Sequence, residues 1–133
     1  MKALLDTNVV LDAMTGRKGL DRSAQQIFEL AADEKIDIYL SANTVSDIYY
    51  ILKRQQGAAR ADEALSYIFS LFSIVSVDDT DCYKAFSSNI DDFEDALLVE
   101  CAVKAGLDVL VTGDKELLKA QTSIKAVPPA ELV

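Results

Sequence analysis

Four aspartates, Asp6, Asp47, Asp95 and Asp114, stand out in this chain by type and placing. Each adjoins an apolar run. Asp6 ends Ala3-Leu4-Leu5, Asp47 heads Ile48-Tyr49-Tyr50-Ile51-Leu52, Asp95 precedes Ala96-Leu97-Leu98-Val99, and Asp114 follows Leu110-Val111-Thr112-Gly113. A carboxylate is costly to bury unless it is paired, hydrogen-bonded or bound to metal. Converging anions repel one another, and a hard divalent cation relieves that repulsion. Mg2+ and Mn2+ suit such all-oxygen sites and usually keep several waters. A cation of this kind activates bound water and stabilises charge on a phosphodiester. The sequence contains no histidine, which excludes Ser-His-Asp and Cys-His catalysis and removes the commonest general base. Carboxylates, lysines and metal-bound water remain, and phosphodiester hydrolysis is the chemistry they suggest.

Each aspartate also has an ordinary structural reading. Asp6 after a strand is a natural helix N-cap. Asp95 follows Asp92 by three residues, as in a capping box, and Asp92 itself reads as a cap. Asp47 suits the first turns of a helix by its charge, and Asp114 in Thr-Gly-Asp-Lys suits a turn. What lifts the four above these readings is that they share one edge of the inferred sheet.

That edge follows from the elements around them. Lys2–Leu5 reads as a buried strand, and Thr7-Asn8 opens a helix with Val9, Val10 and Ala13 on one side. Asp21 or Ser23 caps the next helix, with Ile27, Leu30 and Ala31 at helical spacing. Ile36–Leu40 is a second strand closed by Ser41. Asn43 or Ser41 then caps a helix carrying Val45, Ile48, Tyr49 and Leu52. A break near Gly57 precedes a helix with Ala61, Leu65, Ile68, Phe69 and Phe72. Ile74–Val77 is a third strand, Asp78 or Asp79 starts a short helix through Phe86, and Asp92 caps a longer one that Gly106 stops. Leu107–Val111 is a fourth strand, followed by a brief helix (Lys115–Ala120) and a weak strand around Ile124–Val127. Alternation of this kind predicts an α/β fold, a three-layer α/β/α sandwich with a central parallel sheet of four to five strands. Function in such sheets sits outside the carboxyl ends of the strands, where strand order reverses. All four aspartates are placed on that rim.

The 133 residues suit one domain, residues 1–133, large enough to fold without a disulfide or structural metal. Cys82 and Cys101 are too few for a disulfide framework or a zinc site and read as reduced thiols, Cys101 packed among apolar neighbours. A charge appears too early for a signal peptide and no apolar run approaches a membrane span, so a cytoplasmic protein without membrane contact is expected. The 13 basic and 22 acidic residues give a formal net charge of −9, which by itself argues against a nucleic-acid binder and favours cation-holding clusters.

Taken as motifs, these segments resemble the PIN-domain family, the fold of VapC-like toxins and many RNA-processing nucleases. Leu4-Leu5-Asp6-Thr7-Asn8-Val9-Val10 looks like its opening motif, and Ser41-Ala42-Asn43-Thr44-Val45-Ser46-Asp47-Ile48-Tyr49-Tyr50 looks like the second. Asp92-Phe93-Glu94-Asp95-Ala96-Leu97 and Leu110-Val111-Thr112-Gly113-Asp114 look like the third and fourth. The resemblance spans essentially the whole chain in the right order. It implies a Mg2+- or Mn2+-dependent endoribonuclease, with RNA as substrate, an antitoxin protein as partner, and a homodimer. By that resemblance Asp6 and Asp95 are the primary metal ligands. Asp47 and Asp114 complete the site, Asp114 as a further ligand or a carboxylate that orients water. Asn8 and Thr112 are polar supports. Many family members carry Glu where Asp47 stands, so this shorter side chain is expected to reach a metal through water.

Two basic clusters, Arg17-Lys18-Arg22 and Lys53-Arg54-Arg60, offer the local positive charge that RNA requires, or else solvated helix faces. Lys53, Arg54 and Lys115 are the expected phosphate contacts. Tyr49, Tyr50, Tyr67, Phe69 and Phe72 crowd the middle helices and read mainly as core, with Tyr50 and Tyr67 able to stay exposed. A phospho-receiver domain would need paired acids ending the first strand and a phosphoacceptor ending the third, and a haloacid-dehalogenase-type phosphatase would need Asp where Asn8 stands. The nearer rival is a PIN domain without strong catalysis, acting as an RNA-binding or protein-interaction module.

Overall fold

The computed structural model describes residues 1–16, 19 and 21–133, with Asp21 described by its backbone only. The basic pair Arg17-Lys18 lies outside the described residues. Among them, five strands form one parallel sheet: β1 (Lys2–Leu5), β2 (Asp37–Ser41), β3 (Ser73–Val75), β4 (Val109–Val111) and β5 (Lys125–Val127), in the order β3-β2-β1-β4-β5. Central β1 pairs Ala3 with Ile38 of β2 and Val109 of β4. Ala3, Leu4 and Leu5 are fully buried because helices cover both faces, and that is why β1 is an unbroken apolar run.

Side chains alternate across the sheet. Ala3 and Leu5 point with Ile38, Leu40 and Val111 into the larger core. This face is covered by α1 (Thr7–Thr15), α2 (Asp21–Ala32), α3 (Ala42–Gln56) and α4 (Ala58–Leu71). Leu4 and Leu110 point the other way, against residues of α6 (Phe93–Lys104) and α7 (Lys115–Lys119), with α5 (Asp79–Phe86) packed on α6. The result is the expected three-layer sandwich. Each fully buried Leu or Val contributes about 1.5–3 kcal/mol, so the central strands anchor the whole assembly.

Gly57 breaks α3 from α4 at φ 91, ψ 165, a conformation open essentially to glycine alone. Gly106, at φ 68, follows the end of α6. Several boundaries differ from the sequence reading. The third strand is Ser73–Val75, not Ile74–Val77, because it pairs with Tyr39–Ser41, while Val77 turns into the cores under α5 and α6. Beyond the last strand, Pro128 holds the cap position of a short α8 (Pro129–Leu132) with proline in its first turn, where a missing N–H costs nothing. Helix α2 starts at Asp21, so its cap position falls outside the described residues.

The chain runs from β1 outward through β2 to β3, then returns to β4 on the opposite side of β1. Strand order therefore reverses between β1 and β4, and their carboxyl ends define the crevice.

Candidate active site

Asp6 leaves β1 at that crevice. Its backbone N–H donates to the Val111 carbonyl at 2.9 Å, which extends the β1–β4 ladder by one step and locks the two strand ends together. Asp6 is the N-cap residue of α1 by position, yet its side chain makes no capping hydrogen bond. Its carboxylate instead accepts from the Thr112 hydroxyl at 2.8 Å, in a buried contact that spans the switch point. The same hydroxyl oxygen accepts from the Asp114 backbone N–H at 3.0 Å, so Thr112 ties the first and last aspartates together. The carboxylate of Asp114 caps α7 by accepting from the Glu116 N–H at 2.8 Å.

The third wall comes from α6. Asp92 caps it, its side chain accepting from the Asp95 N–H at 3.0 Å. The Asp95 carboxyl faces Asp114 and Asp6, whose charges act on it. The fourth wall is α3, which carries Asp47, Tyr50, Ile51 and Arg54 along one stripe. A bridge of buried hydroxyls holds its start to α1, where Thr44 accepts from Ser41 at 3.1 Å and from Thr7 at 3.2 Å. Neither Ser41 nor Asn43 caps α3 as the sequence suggested, for Ser41 holds the cap position but spends its hydroxyl on Thr44.

Between these walls lies a cleft of about 430 Å3. It brings together Asp6, Asp47, Asp95 and Asp114, with Asn8 on its rim and Thr112 buried behind Asp6. Arg54 lines it, whereas Lys53 and Lys115 are exposed and stand outside the lining. Arg60 faces Glu63 across 3.7 Å. Sequence reasoning missed Glu94 and Tyr50 as lining residues, and took Asp92 only as a cap although it also faces the cleft. A signal for Tyr50 was present, since positions three, four and seven beyond Asp47 share its helical face. Glu94 looked like an ordinary first-turn acid.

Six lining carboxylates against Arg54 make the cleft strongly negative. Burial pushes the Asp95 carboxyl up to about 7, reinforced by Asp92, Asp114 and Asp6. Burial also raises Asp6, although the Thr112 hydroxyl and the Thr7 backbone pull it back. Glu94 is raised by burial and then by Asp47, Asp92 and Asp6. Such groups favour either protons or a cation. The donors are all oxygen, and two carboxylates completed by water suit Mg2+ or Mn2+. Among the described residues no group of three or more acidic, histidine or cysteine side chains is already set to hold an ion.

Comparison with known proteins decides the family. The PIN-domain model matches residues 2–116. The chain belongs to the PIN-domain family. Solved structures agree on the fold of this PIN domain. It is similar to VapBC2 from Rickettsia felis bound to a promoter DNA fragment, at 17% identity and TM-score 0.75, covering 96% of this chain and 98% of that one. It is also similar to a toxin-antitoxin complex from Klebsiella pneumoniae, at 22% identity and TM-score 0.70, covering 96% and 97%. VapC20 from Mycobacterium tuberculosis, a sarcin-ricin-loop-cleaving toxin, matches at 15% identity and TM-score 0.71, covering 90% and 95%. A search of curated proteins finds no match. No helix among the described residues is long and apolar enough to cross a membrane.

Proposed function

We propose that this PIN domain is a divalent-metal-dependent endoribonuclease, working as one unit over residues 1–133, and the toxin of a toxin-antitoxin pair. The observation that carries the reading is the meeting of Asp6, Asp95 and Asp114 at the β1/β4 switch point, with Thr112 fixing two of them. Asp6 and Asp95 would hold Mg2+ or Mn2+, with Asp114 beside them. When bound, the cation supplies a Lewis acid for the phosphoryl oxygens and acidifies water.

The chain's own residues do the rest. Thr112 keeps the Asp6 carboxylate aimed into the cleft and holds the backbone from which Asp114 projects. Asp114 and Asp47, both lining the cleft, accept hydrogen bonds from water and orient it toward the phosphorus. Asn8 adds a polar contact at the rim. Arg54 takes a phosphate oxygen of the RNA backbone, a task for which its fork of donors is suited. Lys53 on α3 and Lys115 on α7, both exposed outside the lining, extend that contact. The neighbours described as toxin-antitoxin complexes support an antitoxin protein as partner, and exposed Tyr67 and Phe69 on α4 offer apolar surface for it or for a homodimer. The same exposed aromatics favour a second reading, an interaction module with little catalysis.

Incubation of the purified protein with labelled single-stranded and hairpin RNA separates the two. Cleavage is expected with Mn2+ or Mg2+ and is expected to disappear in EDTA and in Asp6→Asn or Asp95→Asn. Cleavage unchanged by EDTA overturns the metal-dependent reading. The interaction-module reading is favoured by no cleavage of any RNA together with no metal-dependent thermal shift. For toxin action, induced expression should arrest growth and Asp6→Ala should relieve the arrest.

A further inference from the structure

Tyr50 stands 58% exposed at the lip of the acidic cleft. Other aromatics of the chain are more exposed, Tyr83 and Phe86 among them, but of the exposed aromatics Tyr50 is the one that lines this cleft. It shares one stripe of α3 with Asp47, three residues before it, and Arg54, four residues after it. Along the helix the ring therefore falls between a proposed water-orienting carboxylate and a proposed phosphate contact.

The ring also has an aromatic neighbour. Tyr49 meets it edge-on, centroids 5.2 Å apart and planes at 88°. Tyr49 itself packs against the larger core, and the Asp62 carboxylate beside its hydroxyl, on α4, raises the hydroxyl's pKa. Tyr50 is thus braced from one side by an anchored neighbour and open on the other. An open aromatic face beside a phosphate site is a stacking platform. Among carboxylates, an acidic surface is repelled and a phosphate needs charge compensation, whereas an uncharged base is not penalised. A base paired inside a duplex already has both faces covered, so only an unpaired base can take the ring.

We propose that Tyr50 is a base-stacking subsite for one unpaired nucleotide next to the phosphodiester in the cleft. The subsite rests on the ribonuclease reading only in that RNA enters this cleft.

The sequence contains no tryptophan, so Tyr50→Trp places a unique fluorophore at the subsite. The full chain carrying it is titrated in Ca2+ with a short single-stranded oligoribonucleotide, a blunt duplex of the same sequence, and an equally charged abasic oligomer, each checked intact on a gel. Quenching by the single strand alone is expected. In a parallel anisotropy assay, Tyr50→Ala should weaken single-strand binding about tenfold and Tyr50→Phe should restore it, as base–aromatic stacking requires. Equal quenching by the abasic oligomer, or unchanged affinity in Tyr50→Ala, overturns the proposal. Unchanged RNA affinity with lost binding of a partner protein overturns it too, in favour of a protein-contact role for the ring. Quenching without any cleavage in Mn2+ leaves the subsite standing and removes the nuclease reading. Cleavage by the wild type with no quenching does the reverse.

Discussion

Thr112 does two jobs with one oxygen, donating to Asp6 and accepting from the Asp114 N–H. Thr112→Val keeps the shape and removes both bonds. The expected cost is about 2 kcal/mol by urea denaturation, since a charged partner and a backbone donor are left unpaired. Cleavage or Mn2+ affinity should fall about 10–100-fold, the usual loss when the group that orients a ligand goes. Asp95 supports a second prediction. Its folded value, about 7, lies above the ordinary 3.8. The folded protein therefore keeps a proton that the unfolded chain releases, and metal-free stability on this account is highest below about pH 4 and declines as pH rises toward 7. In EDTA, Asp95→Asn should raise Tm more at pH 8 than at pH 5, and equal gains at both would refute the assignment. The strand-end position of Asp6 and the cap-plus-three position of Asp95 were visible in the sequence, because a parallel sheet has only one functional rim. The choice among Lys53, Arg54 and Lys115 was not. Neighbouring helical residues point about 100° apart, and only the folded cleft shows that Arg54 lines it while Lys53 does not.

Helices α5 and α6 open with the same spelling, Asp-x-x-Asp, and use it differently. In α5 the box is reciprocal, Asp78 accepting from Asp81 N–H and Asp81 from Asp78 N–H, each at 3.0 Å. Asp81 also pairs with Lys104 from α6, whose ammonium reaches the Ser76 carbonyl as well. Burial raises the Asp81 carboxyl, but Lys104 and the Asp78 backbone outweigh it and hold it below its ordinary range. In α6 Asp92 performs the forward half of the box, and the Asp95 carboxyl turns to the cleft. One motif thus builds a brace between two helices in one place and a candidate ligand in the other. Asp81→Ala should cost about 2 kcal/mol by urea denaturation through lost capping and the lost charged contact. Asp81 is not among the cleft-lining residues, so kcat on RNA should move far less than stability. Sequence alone singled out Asp95 by its motif and passed over Asp81, since capping spacing is set by the helix and not by what the second carboxylate faces. The apolar runs of β1 and β4, buried on both faces, were legible for the opposite reason. Burial on both sides leaves no alternative pattern, while β3, three residues at the sheet edge, is fixed by its pairing to β2 more than by its own residues.

A net charge of −9 is at odds with holding RNA by a broad basic face. Among the lining residues the cleft offers Arg54 as its cation, and the exposed aromatics Tyr50, Tyr67 and Phe69 replace charge elsewhere on α3 and α4. Affinity in such a protein has to come from cation-bridged phosphate, one or two direct contacts and stacking. Each phosphate contact contributes a slope of about −0.7 to the dependence of log K on log salt for single strands. With Arg54 and one neighbouring lysine the slope at constant Mg2+ should lie between about −1 and −2, measured by anisotropy with a short single strand. Arg54→Gln should flatten it by about 0.7, and Tyr50→Ala should lower affinity at every salt concentration without changing the slope. A steep slope, of the size that many phosphate contacts give, would mean that RNA is held on a basic surface outside the cleft. The acidic composition, read first as evidence against nucleic acid, then becomes a constraint on how little of the RNA the protein touches. A short contact centred on the switch point suits an enzyme that cuts a local unpaired target better than one that coats a strand.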